Sequence, residues 1–451
     1  MKYRKRIAAL LLCAVMLSGC TMLSSGDDLL QTPKPPKSYV LLQNKLNELE
    51  STMSSISPQS GQYRNTVTFE DLDGDGTDEA IATMCSKKSG KVQVFVFQRT
   101  DDEYVQIGCI SGKGSAIGSL SFPYLNSDRT EKGMIITWNL SNSAEKGMTV
   151  CALQDGEMRS LREMDYTDFT TCDLDGDNVD ELFTVNYTEN GKTASLYDYS
   201  RKRGELELVS QADATQDIQA TVNITTGKLA SGETAVFVDN KFETDNGMQT
   251  DIYVLEIKKQ DKKIQKKLQN LAITTDLSTY RSVSLYYSED INSDGCVEVP
   301  QLTEIPQLTE VSEADTTDSQ VNAAWFTDWY QFSLDEDEMT KRVATTYNSL
   351  NEEWRLFLPS GWREHVNVMT ASDSGISQTL FLDAETKDVL LTIYVFSERD
   401  RDLLFQTGNL TDLGGSNSQC YAMRIEQTES EYAITETQAK GQFAKVNSDW
   451  Y

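Results

Sequence analysis

The chain has 451 residues, with 41 Lys+Arg against 70 Asp+Glu, a single His and 39% hydrophobic residues. That length and composition suit a globular protein of two domains or one large repeat fold, and a formal charge of −29 argues against nucleic acid or an anionic lipid face, whose recognition rests on Lys and Arg. The lone His365 excludes HExxH zinc sites and two-histidine iron sites, and it leaves room for at most one Ser-His-Asp constellation.

At the N-terminus, Lys2, Arg4, Lys5 and Arg6 precede an apolar run over residues 7–17. This is the layout of a secretory signal, and the run is too short to span a bilayer as a helix. Leu17-Ser18-Gly19-Cys20 resembles the bacterial lipobox, which implies removal of residues 1–19 and a lipid on Cys20; an uncleaved anchor is the alternative. Either arrangement places the bulk of the chain outside the cytoplasmic membrane. Processing would leave 37 basic against 70 acidic residues, a net −33. Residues 20–59 read as a tether with Pro33, Pro35 and Pro36, followed by a short amphipathic helix over 39–53 on which Val40, Leu41, Leu42, Leu46 and Leu49 recur.

Three acidic segments carry the strongest chemistry. They are Asp71-Leu-Asp73-Gly-Asp75-Gly-Thr77-Asp-Glu79, Asp173-Leu-Asp175-Gly-Asp177-Asn-Val179-Asp-Glu181 and Asp290-Ile-Asn292-Ser-Asp294-Gly-Cys296-Val-Glu298. Oxygen side chains fall at positions 1, 3, 5 and 9 in each. Side chains 1, 3 and 5, the backbone carbonyl of position 7 (Thr77, Val179, Cys296) and the carboxylate of position 9 together supply the hard oxygen ligands that Ca2+ prefers. Position 6 is Gly76, Asn178 or Gly295, residue types that tolerate the positive φ of a sharp turn. An EF-hand would need Glu at position 12, where Ala82, Thr184 and Gln301 stand. The residues that follow each loop are apolar or alternating, so the loops lead into strands rather than helices. The competing reading, three ordinary solvated turns, does not account for the repeated nine-residue spacing.

These loops resemble the calcium loops of FG-GAP and VCBS-type repeats, as found in integrin α-subunit propellers and bacterial repeat proteins. The resemblance implies structural Ca2+ bound by Asp71, Asp73, Asp75, Thr77 and Glu79, by the matching five residues of the second loop, and by the third, which departs at Asn292 and Ser293. The chain as a whole resembles Gram-positive repeat lipoproteins that join such repeats to a small C-terminal domain.

The loops begin 102 and 117 residues apart, about twice the length of a propeller blade, so degenerate copies are expected between them. Segments starting at Leu125 and Gly227 can be laid on the first loop, giving steps of 54, 48, 54 and 63 residues. Neither keeps the acidic trio, and neither is expected to hold metal in this mode. A mainly β, propeller-like repeat domain over residues 60–330 follows.

Beyond it, a small α+β domain is expected over residues 331–451. Its elements would be a helix at 335–350, strands at 354–358, 365–369, 379–382, 389–396 and 420–425, and helices at 398–405 and 437–446. The aromatic group Trp325, Phe326, Trp329, Tyr330 and Phe332 suits core packing at a junction better than a stacking platform. Cys85, Cys109, Cys151, Cys172, Cys296 and Cys420 fit either free thiols or one or two disulfides. No GxSxG elbow or P-loop is present.

Together these features point to an exported, lipid-anchored, Ca2+-binding protein of the envelope that binds or adheres to a protein or glycan without catalysis of its own. The alternatives are a carboxylate-based hydrolase acting on carbohydrate or another substrate, and a scaffold subunit of an envelope complex.

Overall fold

The computed structural model describes residues 37–101, 103–140, 146–188, 191–242, 247–260, 263–275, 278–282, 286–306, 321–322, 325–335, 337–415, 419–426 and 429–446. The signal segment, Cys20 and the tether lie outside the described residues. The described residues divide into two compact units: those within 1–121, 136–141 and 152–160, and those within 122–135, 142–151 and 161–451.

In the first unit, helix α1 (Lys37–Glu50) takes up most of the amphipathic stretch expected there. It lays Leu42, with Leu41, Leu46 and Leu49 beside it, against Met53, Ala80, Ala82, Met84, Phe95, Phe97 and Tyr104. Those partners belong to a sheet of β1 (Met53–Ser55), β2 (Val67–Glu70), β3 (Glu79–Ser86), β4 (Val92–Arg99) and β5 (Tyr104–Ser111), ordered β1-β3-β4-β5 with β2 also paired to β3.

Three four-strand meanders follow in the chain. They are β6 (Ala116–Ser121), β7 (Met134–Asn139), β8 (Lys146–Gln154) and β9 (Glu157–Tyr166); β10 (Asp168–Cys172), β11 (Glu181–Thr188), β12 (Gly191–Ser200) and β13 (Glu205–Asp213); and β14 (Ile218–Lys228), β15 (Thr234–Phe242), β16 (Met248–Gln260) and β17 (Lys263–Asn270). A short helix α2 (Leu271–Thr274) and β18 (Tyr280–Arg281), paired to β16, complete the last of these. β3, β7, β11 and β15 are buried along almost their whole length, whereas β5, β9 and β13 are partly exposed. Runs such as Ala80-Ile81-Ala82-Thr83-Met84 are apolar on both faces because packing covers both faces.

Consecutive sheets of the second unit pack face to face. Ile135, Met148 and Val150 meet Leu182 and Tyr197. Phe183, Val185 and Leu196 meet Val236, Val238 and Tyr253. Phe237, Ile252 and Val254 meet Val297, Val299 and Phe332. Neighbouring strands such as β10 and β11, β14 and β15, and β19 and β21 pair antiparallel, and the chain is mainly β with a propeller-like repeat of small sheets.

The repeat arithmetic matches this topology. The acidic loops at 71 and 173 join the first and second strands of their meanders, β2 to β3 and β10 to β11, and the copies at 125 and 227 lie ahead of β7 and β15. The loop at 290 leads into β19 (Val299–Glu304).

The last two sheets differ from what the sequence suggests. The helix expected at 335–350 is instead strand β22 (Thr340–Ser349), paired along Thr340 to Thr346 with β21 (Trp325–Phe332). The run Val343-Ala-Thr-Thr-Tyr347 is rich in β-branched and aromatic residues, which lose rotamer freedom in a helix and fit a pleated surface, and pairing overrode the apparent helical face. The fifth sheet runs β19-β21-β22-β23 (Trp354–Phe357)-β29 (Phe443–Lys445). The sixth runs β20 (Val321–Asn322)-β24 (Val366–Asp373)-β25 (Ile376–Asp383)-β26 (Val389–Phe396)-β28 (Cys420–Ile425)-β27 (Thr411–Gly415).

Helices α3 (Trp362–His365), α4 (Arg401–Thr407) and α5 (Glu436–Gln442) are short. α4 falls in the expected place, whereas the helix expected to 446 stops at Gln442 and becomes β29. The expected limit between residues 330 and 331 falls inside β21, and one core joins Ile305 and Phe326 to Trp354, Trp362, Phe381 and Leu390. Residues 331–451 are therefore not set apart as a small α+β domain.

Trp362 is fully buried in this core and its Nε1 donates to the Tyr432 carbonyl at 2.9 Å, whereas Trp325 is 44% exposed. Trp362→Ala is expected to cost about 3–5 kcal/mol in urea unfolding, and Trp325→Ala about 0.5 kcal/mol or less.

Candidate metal centres

Each acidic loop is first a hydrogen-bonded turn. Asp71 accepts the N–H of Gly74 on Oδ1 at 2.8 Å and that of Gly76 on Oδ2 at 2.9 Å. Asp173 accepts Gly176 at 2.7 Å, Asp177 at 3.1 Å and Asn178 at 2.9 Å, and Asp290 accepts Asp294 at 3.0 Å and Gly295 at 2.9 Å. The backbone turns through positive φ at position 6, with Gly76 at 84°, Asn178 at 69° and Gly295 at 87°, as the residue types require. Position 4 does the same, with Gly74 at 77°, Gly176 at 80° and Ser293 at 60°. This second constraint was not drawn from the sequence, although Gly74 and Gly176 were its signal.

The position-5 carboxylates face back along the loop. Asp75, Asp177 and Asp294 accept the N–H groups of Thr77, Val179 and Cys296 at 2.6, 2.8 and 2.8 Å. At position 3, Asp73 and Asp175 accept the N–H groups of Asp75 and Asp177, both at 3.2 Å, and Asn292 accepts Asp294 at 3.0 Å while donating to its Oδ2 at 2.9 Å.

Position 9 differs in kind. Glu79, Glu181 and Glu298 are 0%, 1% and 0% exposed, each at or just before the first residue of its strand. Their Oε2 atoms accept the N–H of position 2, from Leu72 at 2.9 Å, Leu174 at 2.7 Å and Ile291 at 2.9 Å. One end of the loop is thereby tied to the other, and the buried side chains of Leu72 and Leu174 hold the tie in the core. The Oε1 atoms of Glu79 and Glu181 are buried without a hydrogen-bond partner. A buried, unpaired carboxylate oxygen is costly, and proteins resolve it by protonation, by a counter-charge or by a metal.

Ligand atoms of Asp71, Asp73 and Glu79 lie within 4.8 Å of one another, as do those of Asp173, Asp175 and Glu181, and those of Asp290, Asp294 and Glu298. Each set could hold a metal ion. Asp75 and Asp177 fall outside these tightest carboxylate groups. All-oxygen sets suit a hard cation, and the orphaned Glu79 and Glu181 oxygens fit one.

The electrostatics agree. Burial, aided by the neighbouring aspartates, pushes the Glu79 carboxyl up to about 7, and burial likewise raises Asp73. Burial and Asp175 push Glu181 to about 8, and burial pushes Glu298 to about 7. Asp294 goes the other way: burial opposes ionisation, but hydrogen bonds from Cys296, Asn292 and Gln331 outweigh it.

A further set of residues was missed from the sequence. The register pairs Ala80 with Phe97, Leu182 with Tyr197 and Val299 with Tyr330, so Gln98, Asp198 and Gln331 come next on the neighbouring strand, alongside Glu79, Glu181 and Glu298. Gln98 Nε2 donates to Asp73 Oδ2 at 3.1 Å, and Gln331 Nε2 donates to Asp294 Oδ2 at 2.8 Å and Glu298 Oε1 at 2.7 Å. Lys266, on β17, pairs with Asp175 and stands 3.6 Å from Asp198. Loop spacing carries no signal for these residues, because they reach the loops only through sheet pairing.

The degenerate copies close without carboxylate trios, and no metal group falls in them among the described residues. In the first copy, Asn126 Oδ1 accepts the N–H groups of Thr130 and Glu131 at 2.9 and 3.0 Å, and Asp180 of the second acidic loop accepts the Tyr124 N–H at 2.8 Å.

The six cysteines beyond position 20 are free thiols, with burial pushing Cys151 and Cys172 to about 12. His365 stacks on Tyr432 with ring centroids 4.8 Å apart. Phe326, Trp329 and Phe332 are fully buried, in keeping with core packing.

No family model and no curated protein matches this chain. Among solved structures, it is similar to the exotype rhamnogalacturonan lyase YesX, at 12% identity over 74% of each chain with a TM-score of 0.28. It is also similar to a protein from Lactobacillus plantarum, at 9% identity over 73% of this chain and 84% of that one with a TM-score of 0.28. A third likeness is to the Bacillus licheniformis rhamnogalacturonan lyase PL11, at 12% identity over 85% of this chain and 76% of that one with a TM-score of 0.29. Likenesses this distant carry no argument about activity.

The raised carboxyls set a pH dependence for the metal-free protein. Glu79, Glu181 and Glu298 keep protons in the folded state up to about 7, 8 and 7, while the unfolded chain releases them near the ordinary glutamate value of about 4.5. The folded state binds more protons across this window, so stability falls as pH rises from about 4.5 to about 8. In EGTA, the melting temperature is expected to drop over that range, and Glu79→Gln with Glu181→Gln to flatten the drop.

Proposed function

We propose that this chain is an exported, lipid-anchored envelope protein whose repeats bind Ca2+ in the loops at 71, 173 and 290 and serve as a binding or adhesion platform, not as a catalyst. The observation that carries the calcium part is the orphaned Oε1 of Glu79 and Glu181, buried beside two aspartates in each loop. A divalent cation there satisfies the orphaned oxygen and relieves repulsion among the loop carboxylates. Ca2+ is the favoured ion because the donors are all oxygen and Ca2+ accepts an irregular, high coordination number; Zn2+ prefers N and S donors, and Mg2+ demands a tighter octahedron. Asp71, Asp73 and Glu79, with their counterparts in the other loops, would hold the ion, with Asp75, Asp177 and the position-7 carbonyls of Thr77, Val179 and Cys296 completing the shell.

The ion's role in this reading is structural. Position 9 already ties the loop to the start of a buried strand, so an ion on the same carboxylate would stiffen that junction. The envelope location rests on the basic segment, apolar run and Leu17-Ser18-Gly19-Cys20 of the N-terminus. A net charge of −29 directs the search for a partner toward proteins and glycans rather than nucleic acid.

Thermal unfolding of the full chain with Ca2+ against EGTA tests the calcium reading. Saturating Ca2+ is expected to raise the melting temperature by several degrees, equivalent to about 2–4 kcal/mol at 100–1,000 times Kd. Asp73→Ala with Asp175→Ala should remove most of the rise, and equal melting in all four conditions would overturn the reading. For location, detergent-phase partition of the protein expressed in a Gram-positive host should be lost in Cys20→Ser.

A further inference from the structure

The three loops look alike in sequence but meet different side chains in space. Gln98 and Gln331 each place a neutral amide on their loops, donating to Asp73 and to Asp294 with Glu298. An amide can turn its oxygen toward an incoming cation and remain in the site, since it carries both donor and acceptor. At the second loop the equivalent residue is Asp198, which in ionised form has nothing to donate. The donor arrives from the neighbouring meander instead. Lys266, on the edge strand β17 opposite Ile257 of β16, pairs with Asp175 and lies 3.6 Å from Asp198.

These groups are shielded from water: the Lys266 side chain is 22% exposed and that of Asp175 only 5%. Beneath them, Glu181 is 1% exposed with Oε1 unpartnered. An ammonium has three donors and no acceptor, so it can neutralise the site but can never ligate a metal. Asp198 adds a carboxylate to Asp173, Asp175, Asp177 and Glu181 that neither of the other loops has at this position.

We infer that Lys266 is the built-in counter-ion of the second loop, which a divalent cation must displace, and that Asp198 becomes available to that cation when Lys266 leaves. The inference rests on the reading of these loops as cation sites. Its consequence is that the second loop binds more weakly than its carboxylates would by themselves, and that filling it frees Lys266 from Asp175. The site thus exchanges a tether between two meanders for a metal, whereas the loops at 71 and 290 have no side-chain cation to expel among the described residues.

The test uses the full chain carrying Asp73→Ala and Asp294→Ala, so that only the second loop keeps its carboxylate trio whole, titrated calorimetrically with Ca2+ alone. Lys266→Gln, which gives the site the amide that Gln98 supplies to the first loop, is expected to bind Ca2+ about tenfold more tightly than its Lys266 parent, and Lys266→Ala at least as tightly. Adding Asp198→Asn to Lys266→Gln should cancel most of the gain. Thermal unfolding in EGTA confirms that each variant is folded before titration. Equal or weaker binding in both Lys266 variants would overturn the role of Lys266 while leaving the cation reading intact. Absence of Ca2+ binding in the parent and in both variants would instead overturn the cation reading, and this inference with it.

Discussion

Three buried glutamates, Glu79, Glu181 and Glu298, each hold the backbone N–H at the far end of a nine-residue loop, and the local architecture depends on that bond. It is shielded from water, which strengthens it relative to an exposed contact. It also fixes where a buried strand begins, since β3 and β11 start at the glutamate itself. A carboxylate has two oxygens, and in Glu79 and Glu181 the clamp uses only one. What the second oxygen carries therefore bears on whether the clamp strengthens the fold or weakens it: a proton up to about pH 7 at Glu79 and about pH 8 at Glu181, or an uncompensated buried charge above that.

Besides the clamp, each loop carries hydrogen bonds of its own. Asp71, Asp173 and Asp290 bend the backbone by accepting hydrogen bonds from N–H groups three to five residues ahead, and the first degenerate copy builds a comparable turn with Asn126 and no carboxylate trio. The turn belongs to the repeat, and the acidic trio is an addition to it at three of five places. The first two acidic turns precede β3 and β11, each largely buried, so stiffness there is transmitted to the core.

The second loop departs from the other two because of its neighbours. Its cross-strand residue is an aspartate where the others have glutamine, and its extra negative charge is answered by Lys266 from another meander. Asp180 of the same loop reaches the preceding copy through the Tyr124 N–H. The second loop is thus embedded in its surroundings on two sides, which makes it the place where cation chemistry and the packing of successive sheets meet.

The nine-residue spacing, the glycines, the repeat steps and most strand positions were legible from the sequence because they depend on contacts within a loop or on alternation along a strand. The helix expected at 335–350 was misread because acidic residues from Asp335 and the apolar Met339, Val343, Tyr347 and Leu350, at helical spacing, are also compatible with the β-branched strand β22, and pairing with β21 settled the matter. The separate C-terminal domain failed for a related reason, since β19 and β21 share a sheet with β22, β23 and β29, a union of segments more than a hundred residues apart. By itself, the sequence determined the kind of donor at each loop position and the places where strands follow. Only the tertiary structure decided that the position-9 glutamates are buried with an oxygen to spare, that Gln98, Asp198 and Gln331 stand beside them, and that Lys266 answers one loop alone. Those outcomes depend on which strands pair and which sheets stack, and no local spacing in the chain encodes them.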